Sequence, residues 1–286
     1  MKLFWNTNKQ KKSFWGEYHF KNSKSWIFFL LKNVQYNIIE NLNELEGNDS
    51  LIIIDSELNS KESFYLNVSK KCSNIYLIHL GDEGSTEKKD LIYSLCTHVW
   101  RTFGSILHFK NKNITCIPIG YKSGILPNEQ AIDKRKYTWS FIGTTHGSSR
   151  FDLQYQNKDL EPHYIKLTSK FASQDSLSVS DYYEILNNTI FSLIPHGYFH
   201  PETYRFYESL ESGCIPIIEN PHGYFDIFYP NNPFFKIQLW KEANFLMKEM
   251  INDKKKLTEK SNNIIIWWKK YKREIQVNFE KKINGR

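Results

Sequence analysis

A chain of 286 residues is long enough for one large or two medium domains with a substantial buried core. Its formal net charge of +7 favours anionic partners, but the basic residues are spread along the chain without a nucleic-acid-binding motif, so DNA and RNA are not expected as partners. Aromatic residues make up 16% of the chain. They suit the binding of sugar rings, although an AT-rich genome would produce the same excess.

The first half of the chain predicts a parallel sheet. Residues 26–31 are too short a run to classify by periodicity, whereas residues 51–55 (LIIID) read as a buried strand. The further predicted elements are a strand at 73–80, a helix at 88–98, and strands at 97–101 and 114–119. Because strands alternate with helices, residues 1–133 are expected to form a Rossmann-like domain.

The second half repeats this alternation after a polar, charged linker at 129–136. Residues 137–143 (YTWSFIG) predict a strand that runs into a loop of small residues, and backbone N–H groups of such a loop approach phosphates closely. The later predicted helices are at 180–188 (with Ser180 as its cap), 241–251 and 255–286. Residues 134–262 therefore predict a second Rossmann-like domain, and residues 263–286 a C-terminal helix. No phosphate-loop or dinucleotide-binding motif is present, which argues against an ATPase or a nicotinamide enzyme.

Residues 191–218 (FSLIPHGYFHPETYRFYESLESGCIPII) hold the most informative pattern. They predict a strand, a loop, a helix at about 201–211 and a parallel strand, which places the loop where α/β proteins bind ligands. Arg205 and Glu208 share one helix face near its N-terminus. A guanidinium and a helix N-terminus suit phosphate oxygens, and a carboxylate suits vicinal ribose hydroxyls. The alternative is an i,i+3 salt bridge on a solvated face.

These residues carry a family resemblance. The pattern P-x-G followed by T-x-R-x-x-E-x-L-x-x-G-C-I-P-I-I resembles the signature of exostosin-like glycosyltransferases, glycosyltransferase family 47, and the spacing from Glu208 to Gly213 resembles the nucleotide-sugar half-site of GT-B enzymes. The resemblance implies an α/β GT-B fold, with two Rossmann-like domains whose parallel sheets face across a cleft. It also implies inverting transfer of a sugar from a nucleoside diphosphate sugar, expected to be UDP-linked, to a hydroxyl of a glycan or polyol-phosphate acceptor.

The donor-binding residues expected from this pattern and resemblance are Arg205, Glu208, Arg150, Gly143, Thr144, Lys122, His196, Gly197 and Thr203. Arg205 would neutralise the leaving diphosphate, with Arg150 and Lys122 as helpers across the cleft. Cations can replace a divalent metal in that role, and the chain offers no clear D-x-D motif. No cofactor is therefore required, and a metal is not expected.

The general base for the acceptor hydroxyl is expected in the first domain. Asp82 and Glu83 follow a predicted strand within HLGDE (residues 79–83), which resembles a motif in bacterial and ribitol xylosyltransferase-like relatives. Asp55 and Glu57 are the second choice. Adjacent carboxylates at a strand end cap a following helix equally well. Two rival functions stay open: a non-catalytic glycan- or nucleotide-binding module on the same fold, and a retaining enzyme.

The setting expected from the sequence is the cytoplasm of a bacterium or of a virus-infected host. The four cysteines have long irregular spacings, which indicate a reducing compartment without structural zinc. The N-terminus lacks a signal-peptide pattern, and no apolar run approaches the roughly 20 residues of a spanning helix. The C-terminal helix carries an aromatic and apolar stripe that would either contact the inner membrane face or, as we expect, pack back on the first domain. Its members are Ile264, Ile265, Trp267, Trp268 and Tyr271.

Overall fold

The computed structural model describes residues 1–7, 14–128, 130–220 and 222–285. The chain divides into two compact units: unit 1 comprises Met1–Ile119 and Arg273–Arg286, and unit 2 comprises Gly120–Lys272. The sequence analysis placed the boundary between the two domains after residue 133, and it predicted that the chain packs back on the first domain from residue 263 onward. Most of the predicted linker lies inside unit 2, where buried Arg135 donates hydrogen bonds to backbone carbonyls; residue 129 of that linker lies outside the described residues.

Unit 1 is built on a parallel sheet of six strands. In chain order these are β1 (Lys2–Trp5), β2 (Asn37–Ile39), β3 (Asp49–Asp55), β4 (Cys72–His79), β5 (His98–Arg101) and β6 (Ile114–Cys116). Their order in the sheet is β2-β1-β3-β4-β5-β6. The chain moves outward from β1 to β2 and then returns to β3 on the other side of β1. The carboxyl ends of β1 and β3 therefore form the topological switch point of this sheet.

Among the described residues, the helices between these strands are α1 (Phe14–Asn22), α2 (Lys24–Leu30), α3 (Glu62–Ser69) and α4 (Asp90–Ser94). The unclassified run at 26–31 is mostly α2, whose Trp26 is fully buried and donates its indole N–H to the Pro118 carbonyl at 3.1 Å. The helix predicted at 88–98 is only five residues long. Its cap at Leu95 is followed at once by the turn into β5.

Unit 2 is built on a parallel sheet of five strands. These are β7 (Tyr137–Gly143), β8 (His163–Leu167), β9 (Thr189–Ile194), β10 (Ile215–Glu219) and β11 (Phe235–Ile237), in the order β11-β10-β9-β7-β8. The strands predicted at 137–143 and 191–194 and the parallel return are confirmed. Since the chain passes from β7 to β8 and then back to β9 on the other side of β7, the switch point lies at the carboxyl ends of β7 and β9.

The helices that follow are α5 (Ser148–Asn157), α6 (Val179–Asn187), α7 (Tyr204–Glu211), α8 (Tyr224–Phe228), α9 (Trp240–Asn252) and α10 (Lys254–Asn284). The cap of α6 is Ser178, which accepts from the Asp181 N–H at 3.1 Å, and not Ser180 as predicted. The helix predicted from residue 201 begins at Tyr204, because Thr203 is extended with φ −137° and ψ 153°.

The stripe on α10 is largely internal, so the sequence alternative in which it contacts a membrane has no support in the structure. Ile264 and Trp268 are 0% and 2% exposed, and the Trp267 ring lies 4.8 Å from that of Phe234. Farther along, in unit 1, Phe279 stacks on Trp100 at 4.1 Å. Within the described part of the chain, no helix has both the length and the apolar character needed to cross a bilayer.

Candidate donor site at the switch point of unit 2

Two loops and two helix N-termini meet at the switch point of unit 2. The loop after β7 begins at Thr144 and leads into α5, while the loop after β9 begins at Pro195 and leads into α7. A helix N-terminus carries a partial positive charge and free N–H groups, which makes such a place suited to an anionic ligand. Of the predicted donor residues, Gly143 ends β7, and Thr144, His196, Gly197 and Thr203 lie on these two loops.

Arg205 lies in the first turn of α7 and points to the end of β7. Its Nε and Nη2 both donate to the Ile142 carbonyl, at 3.2 and 2.5 Å, and the guanidinium lies 4.7 Å from the centre of the Phe141 ring. A Cβ at Gly143 would overlap Arg205 Nη2, so glycine is required for this approach. The buried Nη1 has no hydrogen-bond partner among the described residues. The Nε–Nη2 edge of the guanidinium is thus held by the Ile142 carbonyl, while Nη1 can still donate a hydrogen bond.

Glu208 follows Arg205 by one turn on the same buried face. It is 2% exposed, and its Oε1 has no hydrogen-bond partner among the residues described. The Tyr182 hydroxyl from α6 hydrogen-bonds to Glu208; burial first, then the Glu208 charge, raises the pKa of Tyr182 well above its ordinary value. Burial also lowers the pKa of Arg205, against the opposing effects of Tyr182 and Glu208. The alternative of a solvated salt bridge is therefore wrong, because this face of α7 is internal.

Arg150 joins the two loops. It is 5% exposed, and its Nη1 donates to the Thr144 carbonyl at 2.9 Å and to Thr144 Oγ1 at 3.2 Å. Its Nη2 donates to the His196 carbonyl at 2.9 Å. Because these hydrogen bonds end on the backbone of both loops, Arg150 positions the loops as well as adding positive charge to the site.

Lys122 belongs to unit 2, not to the first domain as predicted. Its ammonium lies 6.0 Å from the centre of the Tyr204 ring, at the first residue of α7. Lys122 therefore lies on the same unit as Arg205, and the prediction that it lies across a cleft from Arg205 is wrong. One residue before Tyr204, the buried Oγ1 of Thr203 has no hydrogen-bond partner in the described chain, although Thr203 is the N-cap residue of α7. Lys122 and Thr203 thus add a cation and a hydroxyl to this helix end.

Two carboxylates that the sequence analysis missed organise the loop after β9. Glu219, at the end of β10, accepts from Ser149 Oγ at 2.7 Å and from the His196 N–H at 2.9 Å. Glu202 is 3% exposed and accepts from the hydroxyls of Tyr207 and Tyr229. No spacing rule marks either residue in the sequence, since their partners lie 5 to 70 positions away.

The Gly-Cys part of the motif is structural. Gly213 has φ +67°, its N–H donates to the Leu210 carbonyl, and the Cys214 N–H donates to the Ser209 carbonyl. This pair of bonds is the Schellman arrangement that ends a helix with glycine. Cys214 is fully buried, and burial raises the pKa of its thiol to about 11. The motif therefore combines a half with unpartnered polar atoms among the described residues, at Arg205 and Glu208, with a half that ends the helix.

The predicted carboxylates of unit 1 have a different environment. The Asp82 side chain is 0% exposed and accepts from the N–H groups of Thr86 and Glu87 at 2.6 and 3.0 Å. It also accepts from Lys89 Nζ at 2.6 Å and from Arg101 Nη2 at 3.5 Å. Burial alone would raise the pKa of Asp82, but these donors outweigh it and hold the pKa below its ordinary value.

Asp55, the second-choice base, lies at the switch point of unit 1. It is 0% exposed and accepts side-chain hydrogen bonds from Asn6, Lys61 and Tyr65 at 2.9, 2.5 and 3.0 Å. It also accepts from the N–H groups of Ser56 and Glu57. Asp55 and Asp82 thus stabilise loops, while Glu83, next to Asp82, is only partly buried.

Among the residues that the structure describes, no group of three or more His, Cys, Asp and Glu side chains is arranged to hold a metal ion. The histidines instead make local contacts: His79 Nδ1 lies 2.8 Å from the Tyr93 hydroxyl, and His146 Nδ1 lies 2.7 Å from Thr144 Oγ1. His196 contributes to the donor site through its backbone, as described above.

Comparison with known proteins identifies relatives of both the sequence and the fold. Residues 123–286 match the family model described as the RXYLT1 C-terminal domain. The chain is 23% identical over 177 residues to ribitol-5-phosphate xylosyltransferase 1 of Danio rerio, an alignment that covers 54% of this chain and 39% of that protein. The chain thus spans about two fifths of the length of this curated relative.

The fold resembles those of two solved glycosyltransferases. One is the DNA-modifying enzyme β-glucosyltransferase, solved with and without uridine diphosphoglucose, with a TM-score of 0.57 at 15% identity over 99% of this chain and 100% of the other. The second is α1,3-fucosyltransferase, with a TM-score of 0.52 at 13% identity over 99% of this chain and 90% of the other. At these identities the likeness shows the fold alone, which is GT-B as predicted.

Proposed function

The chain belongs to the RXYLT1 C-terminal domain family, and from that premise we propose that it is a glycosyltransferase using a nucleoside diphosphate sugar. One observation carries this proposal: the buried face of α7 holds an available N–H of Arg205 near the helix N-terminus and an available oxygen of Glu208 one turn farther on. Diphosphate oxygens fit the first position, and the vicinal hydroxyls of a ribose fit the second. A nucleoside diphosphate therefore matches both the charges and their order.

The relatives support a UDP-linked donor and a hydroxyl acceptor. One solved relative takes uridine diphosphoglucose as its substrate, and the curated relative is named as a xylosyltransferase of ribitol 5-phosphate. We accordingly propose a UDP-sugar as donor and a glycan or polyol phosphate as acceptor. The resemblance of residues 191–218 to exostosin-like enzymes points the same way. The four cysteines are free, which supports a cytoplasmic setting.

The proposed reaction is a single inverting displacement. The acceptor oxygen bonds to the anomeric carbon while its proton passes to a general base, and the bond from that carbon to the diphosphate oxygen breaks. Arg205 and the α7 N-terminus stabilise the departing diphosphate, with Lys122 adding charge. Glu83 is the proposed base, because the four hydrogen bonds to Asp82 leave that carboxylate poorly placed to accept a proton.

The proposed steps need no metal ion, so turnover should persist in EDTA. A several-fold loss of turnover in EDTA would contradict metal independence.

Nucleotide binding tests the donor site directly. Calorimetry and thermal shift with UDP, GDP, CDP and ADP should show one preferred nucleotide that raises the melting midpoint of the wild type. Arg205→Ala and the milder Arg205→Lys should lose that shift. Lys248→Ala, which removes an exposed ion pair with Asp159, is the matched control and should keep it. If none of the four nucleotides binds, the donor site is refuted.

A non-catalytic binding module is the second candidate, and the saturated carboxylates Asp55 and Asp82 favour it. The two candidates differ in turnover. A glycosyltransferase releases UDP from its donor faster when acceptor is present, whereas a binding module does not. The anomeric configuration of the product, read by proton NMR, separates the proposed inversion from retention.

A further inference from the structure

The loop between β9 and α7 carries an exposed aromatic pair with no role in the core. Tyr198 and Phe199 are each 67% exposed. Their rings meet edge to face, with centroids 4.5 Å apart and an interplanar angle of 87°. Exposing that much apolar surface to water is unfavourable relative to burying it. Two large rings side by side on one turn therefore suggest a binding surface.

The turn beneath these rings is anchored to the site. The Gly197 N–H donates to the His200 carbonyl at 2.9 Å and closes the turn around the pair. The preceding residue, His196, is held at both backbone groups: its N–H donates to Glu219 at 2.9 Å, and its carbonyl accepts from Arg150 at 2.9 Å. A platform held in place before binding loses less entropy when a ligand stacks on it.

The pair also lies next to the other loop of the switch point. The Tyr198 ring is 5.3 Å from that of His146, which belongs to the loop between β7 and α5. His146 in turn contacts Thr144 Oγ1 at 2.7 Å. The aromatic rings thus lie where the two loops of the donor site come together.

The order of groups along α7 indicates which part of a donor reaches the pair. Glu208, proposed for the ribose, lies deepest in the helix; Arg205, proposed for the diphosphate, lies one turn nearer its start; and the loop with the aromatic pair precedes the helix. In a nucleotide sugar the chemical order is ribose, diphosphate, sugar. We propose that Tyr198 and Phe199 form a stacking platform for the sugar ring of the donor, an inference that rests on the proposed function. The C–H face of a sugar packs on an aromatic ring, and the tyrosine hydroxyl can hydrogen-bond to the sugar.

The test compares a nucleotide with and without its sugar. Calorimetry measures UDP, UDP-xylose and UDP-glucose against wild type and the double variant Tyr198→Ala/Phe199→Ala. The double variant should bind the preferred UDP-sugar about 10-fold more weakly, while its affinity for UDP stays unchanged. Phe245→Ala is the matched control, since Phe245 is 71% exposed on α9. It should change neither affinity.

The outcomes separate this inference from the function on which it rests. If wild type binds UDP and the double variant keeps the wild-type ratio of UDP-sugar to UDP affinity, the platform is refuted and the donor site stands. An effect confined to the KM of the acceptor likewise refutes the assignment to the donor sugar. Failure of wild type to bind UDP or any UDP-sugar refutes the donor site and the platform together. Equal melting midpoints for the variants establish that folding is unchanged.

Discussion

The two sheets place charged residues at the same topological position but use them differently. At the switch point of unit 1, Asp55 accepts five hydrogen bonds from its own unit. At the switch point of unit 2, Arg205 Nη1, Glu208 Oε1 and Thr203 Oγ1 are buried without a partner among the described residues. A buried polar atom without a partner costs about 1–3 kcal/mol, so the second arrangement is stable only because something else compensates, and a ligand would supply the missing bonds.

From this contrast we propose that the charged groups of unit 1 are structural and those of unit 2 functional. The sequence marks both places equally well, because acidic or basic residues follow an apolar strand in each. The two switch points differ only in the number of hydrogen-bond partners around the polar groups there. The saturated groups of unit 1 should therefore affect folding when they are changed, and the available groups of unit 2 should affect ligand binding and turnover.

The largest expected effect concerns the proposed base. Glu83→Gln should lower kcat by about 10²–10⁴-fold, the range expected for loss of a general base. Its neighbour gives the matched control: Asp82→Asn removes the ion pair with Lys89 and should lower the melting midpoint while leaving kcat per folded molecule largely intact. Steady-state kinetics with normalisation to the folded fraction measures both. Full turnover in Glu83→Gln would remove that residue from the role.

The next effect compares two arginines of unit 2. Arg205→Lys should lower kcat by roughly 10²–10³-fold, because a lysine ammonium cannot both hold the Ile142 carbonyl, as Nε and Nη2 do, and donate to the leaving diphosphate from a fixed position, as proposed for Nη1. Arg135→Lys should instead destabilise the fold, since Arg135 donates to the Thr189 and Ser212 carbonyls at 2.9 Å each. A kcat for folded Arg135→Lys as low as that of Arg205→Lys would contradict the distinction.

The sequence predicted the strands and the helix around the candidate site well for a physical reason. The β9–α7–β10 unit combines two buried apolar strands with an amphipathic helix, so its periodicity is strong and local. The strands β1, β2, β8 and β11 were missed; each has only three to five residues. Lys122 was assigned to the wrong domain because nothing in the composition marks the boundary at Ile119.

Partners that are distant in sequence explain the remaining misses at the site. Tyr182 reaches Glu208 from another helix, and Glu219 reaches Ser149 across 70 positions. No pattern in a single chain records such pairs. The saturation of Asp82 was equally hidden, because two of its donors come from the backbone and one from Arg101 on the next strand.

A smaller effect tests whether Glu208 holds a ribose. Wild type should prefer UDP over 2′,3′-dideoxy-UDP, and Glu208→Gln should lose most of this preference, a change of about 10-fold in relative affinity. Glu211→Gln is the matched control, because Glu211 on the same helix already accepts from Trp268 and Lys272 at 2.7 and 2.6 Å. It should lower stability and keep the ribose preference. An unchanged preference in Glu208→Gln would place the ribose elsewhere.

The smallest expected effect is on the pH dependence of folding in unit 1. The pKa of Asp82 lies below its ordinary value of 3.8, since its donors outweigh the effect of burial. A lowered folded-state pKa contributes stability that is fully present above the unfolded-state pKa and is lost as pH falls through the folded-state value. The melting midpoint of wild type should therefore decline below about pH 4 more steeply than that of Asp82→Asn, and the gap between them should narrow by a few degrees. Parallel pH curves for the two proteins would show that Asp82 is not held in its charged form by the fold, and the contrast with unit 2 would then rest on Asp55 alone.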